Sequence, residues 1–239
     1  MFFFCLSVVA QHYPSKHYTD QNILPNTTVR SVFFSSRGGL WIGTDNGLVH
    51  KQNETVVSYF EEDGLALNTI WALAEDSKHH IWAGSYGGGL SRFNGTSWEV
   101  FSTDEGLVHA EVTTLSIFKD VLYVGTSDGF SIVTLQDSAR VSSKIHSFKH
   151  EKRSPFRVQD FFTHNGAVYV VTYDKGIYKV LFDGKEIHLE TCVKKGLFYA
   201  SAVQGDSLLL GQKEYFKKIA IRPNKLRQNL QKAPQLGRS

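Results

Sequence analysis

Short apolar runs separated by polar or glycine-bearing turns cover most of the chain, and the body lacks the three-and-four spacing of an amphipathic helix. Residues 70–101 show the pattern best. Ile70–Ala74 is an apolar run, Asp76-Ser77-Lys78-His79 a polar turn, and Ile81–Gly84 a second run. Gly87-Gly88-Gly89 then leads into Leu90–Phe93, and Asn94-Gly95, a strong hairpin signal, leads into Trp98–Phe101. The pattern predicts four short strands in succession.

The same pattern recurs. Leu40-Trp41-Ile42-Gly43-Thr44-Asp45-Asn46-Gly47-Leu48 returns as Ile81-Trp82-Ala83-Gly84-Ser85-Tyr86-Gly87-Gly88-Gly89-Leu90 and as Leu122-Tyr123-Val124-Gly125-Thr126-Ser127-Asp128-Gly129-Phe130, with Trp41, Trp82 and Tyr123 spaced 41 residues apart. Val168–Ile177 is a looser fourth copy and Leu208–Gly211 a degenerate fifth. A second signature runs in phase: Phe60-Glu61-Glu62-Asp63-Gly64-Leu65 and Phe101–Leu107, with partial copies at Lys194–Leu197 and Tyr18–Leu24. Apolar pairs three apart open the units: Val29/Val32, Ile70/Leu73, Val112/Leu115 and Val158/Phe161.

A fixed period of this length decides the architecture. Four strands per 41 residues is the blade of a β-propeller, so the expected class is all-β. Units are expected at about 26–65, 66–107, 108–149, 156–197 and 198–222, within a propeller region spanning 11–222. Residues 13–24 have the character of a unit's last strand and would complete the fifth blade if the units close as a five-bladed ring; otherwise the propeller is partial. Trp41, Trp82 and Tyr123 are expected between adjacent blades. Gly43, Gly84 and Gly125 would permit close backbone approach, and Gly47, Gly89 and Gly129 suit positive-φ turns. No helix follows Gly87-Gly88-Gly89, which excludes a phosphate cradle there.

The Leu40–Leu48 motif, with the openings Asn26-Thr27-Thr28-Val29 and Asn68-Thr69-Ile70, resembles the two-component regulator propeller repeat, closely over about 26–130 and more loosely to about 197. In that family the repeat forms the extracytoplasmic sensor region of hybrid histidine kinases and often binds carbohydrate. The resemblance implies a ligand-sensing propeller, with a small molecule or oligosaccharide as ligand and a downstream signalling module as partner. Relatives add an immunoglobulin-like module, a membrane helix and a kinase, none of which is present in these residues. The short fifth unit therefore raises the expectation of a fragment.

Composition refines this picture. The formal net charge of +3 suggests nucleic acid until the charge is located. Residues 217–239 carry seven basic and no acidic residues, leaving the preceding 216 at −4, so no nucleic-acid partner is expected. Residues 223–239 lack the repeat and read as a flexible basic tail. Cys5 and Cys192 support neither a disulfide scaffold nor a cysteine-based zinc site, and no motif demands a cofactor. No apolar run reaches the roughly 18 residues of a membrane span. Met1–Ala10 is apolar and ends in a cleavable Val8-Val9-Ala10, which predicts export to the periplasm or outside the cell; without a signal peptide the location would be cytoplasmic.

Candidate ligand-binding residues follow from repeat position. Residues flanking each first-strand anchor would face a central funnel: Arg30, Trp71, Thr113, Gln159 and Ser201 after it, and Thr28, Thr69, Glu111, Arg157 and Tyr199 before it. Arg30, Trp71, Glu111, Arg157, Gln159 and Tyr199 suit a polar ligand with a stackable face; alternatively they hydrate a channel or pack between blades. His79-His80, Glu61-Glu62-Asp63 and Glu75-Asp76 read as solvated turns. His109 and Glu111 are the starting pair for a lyase-type enzyme, and the Lys144, Lys149, Lys152 and Arg153 patch reads as a solvated loop. No catalytic or metal-binding residue is assigned. A non-enzymatic sensor is the leading expectation, with a lyase-type enzyme or a protein scaffold as alternatives.

Overall fold

The computed structural model describes residues 18–19, 23–135, 145–150, 154–212 and 216–220. The apolar leader, residues 11–17, most of the 144–153 basic patch and the tail lie outside them. Every repeat becomes an antiparallel meander. The first sheet holds β1 (Val29–Phe34), β2 (Leu40–Thr44), β3 (Gly47–Gln52) and β4 (Thr55–Tyr59). The second holds β5 (Ile70–Glu75), β6 (Ile81–Ser85), β7 (Gly89–Phe93) and β8 (Trp98–Phe101). The third holds β9 (Val112–Phe118), β10 (Val121–Thr126), β11 (Gly129–Thr134) and β12 (Ile145–Phe148). The fourth holds β13 (Val158–His164), β14 (Ala167–Thr172), β15 (Gly176–Phe182) and β16 (Ile187–Lys194). The fifth has three described strands, β17 (Ala200–Gln204), β18 (Ser207–Gly211) and β19 (Phe216–Ala220). First strands pack on one another in chain order, which is the blade arrangement of a β-propeller.

The motif residues build the hairpins through buried hydroxyls. Thr44 Oγ1 donates to Gly47 O at 2.9 Å, Ser85 Oγ to Gly89 O at 3.0 Å, Thr126 Oγ1 to Gly129 O at 2.8 Å and Thr172 Oγ1 to Gly176 O at 2.7 Å. All four hydroxyl residues are fully buried, so each satisfies a carbonyl that water cannot reach. The hairpin glycine then stitches its blade to the next. Gly47 N donates to Asn68 O, Gly89 N to Ala110 O and Gly129 N to Phe156 O, at 2.7 to 2.9 Å.

Glycines on second strands serve contact between blades. A Cβ at Gly43 would lie 2.9 Å from Ile70 Cγ2, one at Gly84 2.4 Å from Val112 Cγ1, and one at Gly125 2.6 Å from Val158 Cγ1. The first-strand anchor of each following blade thus sits in the space the missing side chain leaves. Trp41 packs with Ile70 and Ile81, and Trp82 with Leu107, Val112 and Leu122, as the repeat predicts for aromatics between blades. Trp82 also donates its indole N–H to Asp76 Oδ2 at 3.0 Å.

The second signature is a turn. Leu65 N donates to Phe60 O and Leu107 N to Ser102 O, and Leu24 N makes the same five-residue bond to Thr19 O at 3.0 Å. The weak copy at 18–24 therefore shares the bond that closes its stronger counterparts, and Leu24 covers Ile42 and Val49 of the first blade. In the next two blades the residue after that leucine donates its N–H to a serine: Ala66 to Ser91 Oγ at 2.9 Å and Val108 to Ser131 Oγ at 3.0 Å. In the first blade that residue is Pro25, which has no N–H, and the serine is replaced by buried Val49.

Candidate functional site

The first strands of the first four sheets begin with a β-bulge. The ladder register shifts between Val29 and Ser31, between Ile70 and Ala72, across Thr113, and between Val158 and Asp160. Arg30, Trp71, Thr113 and Gln159 are therefore the extra residues, re-aimed by the bulge rather than alternating with their neighbours. In the fifth sheet Ala200 pairs with Gly211 as Ala72 pairs with Gly84, and Tyr199 N donates to Gly211 O at 3.0 Å. The buried anchor there is Phe198, so Tyr199 follows the anchor and is the counterpart of Trp71. Ser201 instead bonds Asp160 across the fourth and fifth blades.

A second set joins the bulge residues from one fixed repeat position, directly after the buried threonine or serine. Asp45 N donates to Thr28 O, Tyr86 N to Thr69 O, Ser127 N to Glu111 O and Tyr173 N to Arg157 O, at 2.9 to 3.2 Å. Asp45, Tyr86, Ser127 and Tyr173 were absent from the sequence candidates. The signal that could have found them is their constant place behind the Gly-Thr or Gly-Ser step, which becomes Val171-Thr172 in the fourth unit.

The six predicted residues fall into two clusters. Arg30 grips Asp45 with both oxygens, Nε to Oδ1 at 2.7 Å and a terminal nitrogen to Oδ2 at 2.8 Å. Its guanidinium lies 5.3 Å from the Trp71 ring, which stacks on Tyr86 at 4.0 Å and 17°. Tyr86 bridges to Glu111 through backbone. In the other cluster Arg157 lies 5.8 Å from the Tyr173 ring, and Tyr173 meets Tyr199 edge-on at 5.5 Å. Gln159 Nε2 donates to Tyr199 O at 3.1 Å, and the two tyrosine hydroxyls approach to 3.4 Å. The bond to Arg30 holds the Asp45 carboxyl below its ordinary value, and the contact with Tyr199 pushes the Tyr173 phenol up.

Three side-chain atoms here are buried without a hydrogen-bond partner: Trp71 Nε1, Ser127 Oγ and Arg157 Nε. An unmet buried polar group costs about 1–3 kcal/mol, and all three can donate. The surface is therefore rich in rings and short of acceptors.

Other candidate chemistry resolves differently. His109 Nδ1 faces the Glu111 backbone N–H at 3.1 Å, not its carboxylate. The Glu75-Asp76 turn is not solvated as expected: Asp76 is buried, accepting from the N–H groups of Lys78 and His80 and from the His80 ring. Ser36 Oγ, Glu75 and His79 meet between the first two blades, yet both Ser36 Oγ (2.8 Å) and Glu75 Oε1 (3.1 Å) contact the same nitrogen, His79 Nδ1. A catalytic triad needs the nucleophile and the orienting acid on opposite nitrogens of the histidine ring. Burial pushes the Glu75 carboxyl up, but the bonds from Ser36 and His79 outweigh it and its pKa falls. Among the described residues no group of three or more His, Cys, Asp or Glu is placed to hold a metal, and no helix is long and apolar enough to cross a membrane. A groove of about 610 Å³, lined by Phe118, Lys119, Tyr123, Phe182 and His188, lies at the other end of the first strands, between the third and fourth blades.

Comparison with known proteins places these repeats. The two-component regulator propeller model matches residues 23–46 and 64–87. No curated protein matches the sequence. Among solved structures, the extracellular domain assigned to the hybrid two-component system BT3049 of B. thetaiotaomicron superposes with a TM-score of 0.61 at 18% identity, over 77% of this chain and 26% of that one. The extracellular domain assigned to the one-component system BT4673 of the same organism gives 0.69 at 12% identity, over 90% and 31%. PorZ, a surface component of the type IX secretion system of Porphyromonas gingivalis, gives 0.61 at 10% identity, over 84% and 28%. At these identities the likeness establishes the propeller fold, and the chain spans between 26% and 31% of these three structures.

Proposed function

We propose that this chain, which matches the two-component regulator propeller model, is the ligand-binding part of an extracytoplasmic sensor, with the bulge end of its first strands as the binding surface. The observation that carries this reading is the row of stacked rings and guanidinium groups, Arg30–Trp71–Tyr86 and Arg157–Tyr173–Tyr199, containing unmet buried donors. Rings that offer apolar faces beside convergent donors suit a neutral, oxygen-rich molecule, and an oligosaccharide has that chemistry: hydroxyl acceptors at its edges and C–H faces for stacking. The same features support a non-enzymatic role, since the surface is built for contact and places no base against a nucleophile. Export and a downstream signalling partner follow from this reading and from the sensor domains that share the fold.

Isothermal titration of the folded chain against a panel of oligosaccharides tests the proposal. The expected result is saturable binding that Trp71→Ala and Arg157→Ala each weaken about tenfold or more, equivalent to about 1.4 kcal/mol. Absence of binding across the panel, or binding indifferent to both substitutions, would refute it.

A further inference from the structure

Each interior junction of this propeller joins two unlike faces. The leading face of one blade presents a glycine on its second strand, and the trailing face of the next presents a branched anchor opening its first strand. Ile70, Val112 and Val158 fill the spaces at Gly43, Gly84 and Gly125 and are fully buried. The fourth junction keeps the principle with different sizes: Val171 replaces the glycine, and Phe198 is the anchor.

One face of each kind is left over. Gly211 is the equivalent glycine of the fifth blade, and a Cβ there would meet nothing nearer than Ala200 of its own sheet, at 3.4 Å. Around it Ala200 and Ala202 are exposed and Leu209 half-buried, and Gln212 Oε1 is buried without a partner. At the opposite end Val29 is the equivalent anchor, 42% exposed, with Val32 at 57% and Phe34 at 76% beside it. Tyr18, Ile23 and Leu24 cover the outer part of that face at Ile42 and Val49 but leave these three open.

We propose that the leading face of the fifth blade binds the trailing face of the first blade of a second copy of this chain, head to tail, with Val29 entering the space above Gly211. Each molecule carries both halves of a junction that it already forms internally, so the partner's chemistry is specified by its own repeat. Large side chains on one face oppose small ones on the other, as at Gly84 and Val112. Such a contact is heterologous and propagates unless the geometry closes it, which makes association dependent on concentration. Contiguous exposed apolar side chains of this size are uncommon on a lone soluble chain.

Light scattering coupled to size-exclusion chromatography over a dilution series of the full chain tests this. The expected result is a mass that rises with concentration above that of one chain. Gly211→Val fills the space, and its Cβ meets nothing closer than 3.4 Å in the isolated chain. Val32→Lys with Phe34→Asp spoils the opposite face at positions already exposed. Each variant alone is expected to stay at one-chain mass with an unchanged melting curve. Mixed together, they are expected to form a dimer and nothing larger, since one intact face of each kind remains. A wild-type mass fixed at one chain would overturn the proposal and point to closure within the chain or to another occupant. Association that survives both variants, or a mixture without dimer, would overturn it as well.

Discussion

The junction between the second and third blades and that between the fourth and fifth solve one packing problem in two ways. In the former, Gly84 lets Val112 approach until a single added carbon would collide at 2.4 Å, and Ala72 lies beneath. In the latter, fully buried Val171 occupies the glycine's place, Phe198 is the anchor, and Asp160 stands where Ala72 stood. Asp160 reaches across to Ser201, and burial pushes its carboxyl pKa up despite the bonds from Ser201 and the Phe161 N–H. A tight backbone contact thus gives way to side-chain packing and a desolvated acid. The lesson is that repeat units tolerate drift where both partners of a junction change together.

The sharpest way to break the contrast is Gly84→Val. Overpacking a close backbone approach costs about 3 kcal/mol, the upper end of its usual range, whereas the equivalent position in the fourth blade already holds valine without strain. Thermal denaturation should show the loss as a midpoint drop of roughly 6–12 °C for a domain of this size. A melting point within a degree or two of wild type would mean that the third blade can move away.

Val171→Ala probes the other junction. Removing two buried methyl groups should cost about 2 kcal/mol from lost transfer energy and the cavity left against Phe198. Denaturant titration measures it, and a smaller loss would show that the fifth blade collapses onto the gap.

The smallest expected effect is that of Asp160→Asn, and its sign depends on pH. A carboxyl whose pKa is raised by folding binds its proton more tightly in the native state, so ionisation of the group favours unfolding. That penalty is absent below the ordinary Asp value, 3.8, and develops as pH rises through the raised native value. Asparagine keeps the bond to Ser201 and carries no charge. The variant should match wild type near pH 3.5 and exceed it at pH 7, by within about 1 kcal/mol. Parallel stability curves across that range would remove the desolvated acid from the explanation.

Much of this architecture was legible in the chain. Strand order, blade count and the role of Trp41 and Trp82 between blades follow from the 41-residue period, because period-two alternation and turn chemistry are local. Even the weak copy at Tyr18–Leu24 keeps its turn bond. The bulges were not legible: alternation placed Arg30 and Trp71 by simple counting, and nothing in Val29-Arg30-Ser31 announces an extra residue. The degenerate fifth unit misled for a related reason, since small Ala200 was aligned with the anchors while Phe198 fills the junction. Asp45, Tyr86, Ser127 and Tyr173 escaped because their side chains differ from blade to blade while their backbone bond does not.

The sequence by itself determined the class of fold, the hairpins and the residues that must lie between blades, all of which depend on neighbours a few positions away. Only the tertiary structure decided which polar residues meet, that Asp76 is buried rather than solvated, and that Val29 and Gly211 are two halves of one kind of contact. Those facts depend on the distance between blades, which is set by packing one sheet against the next and is written in no single repeat.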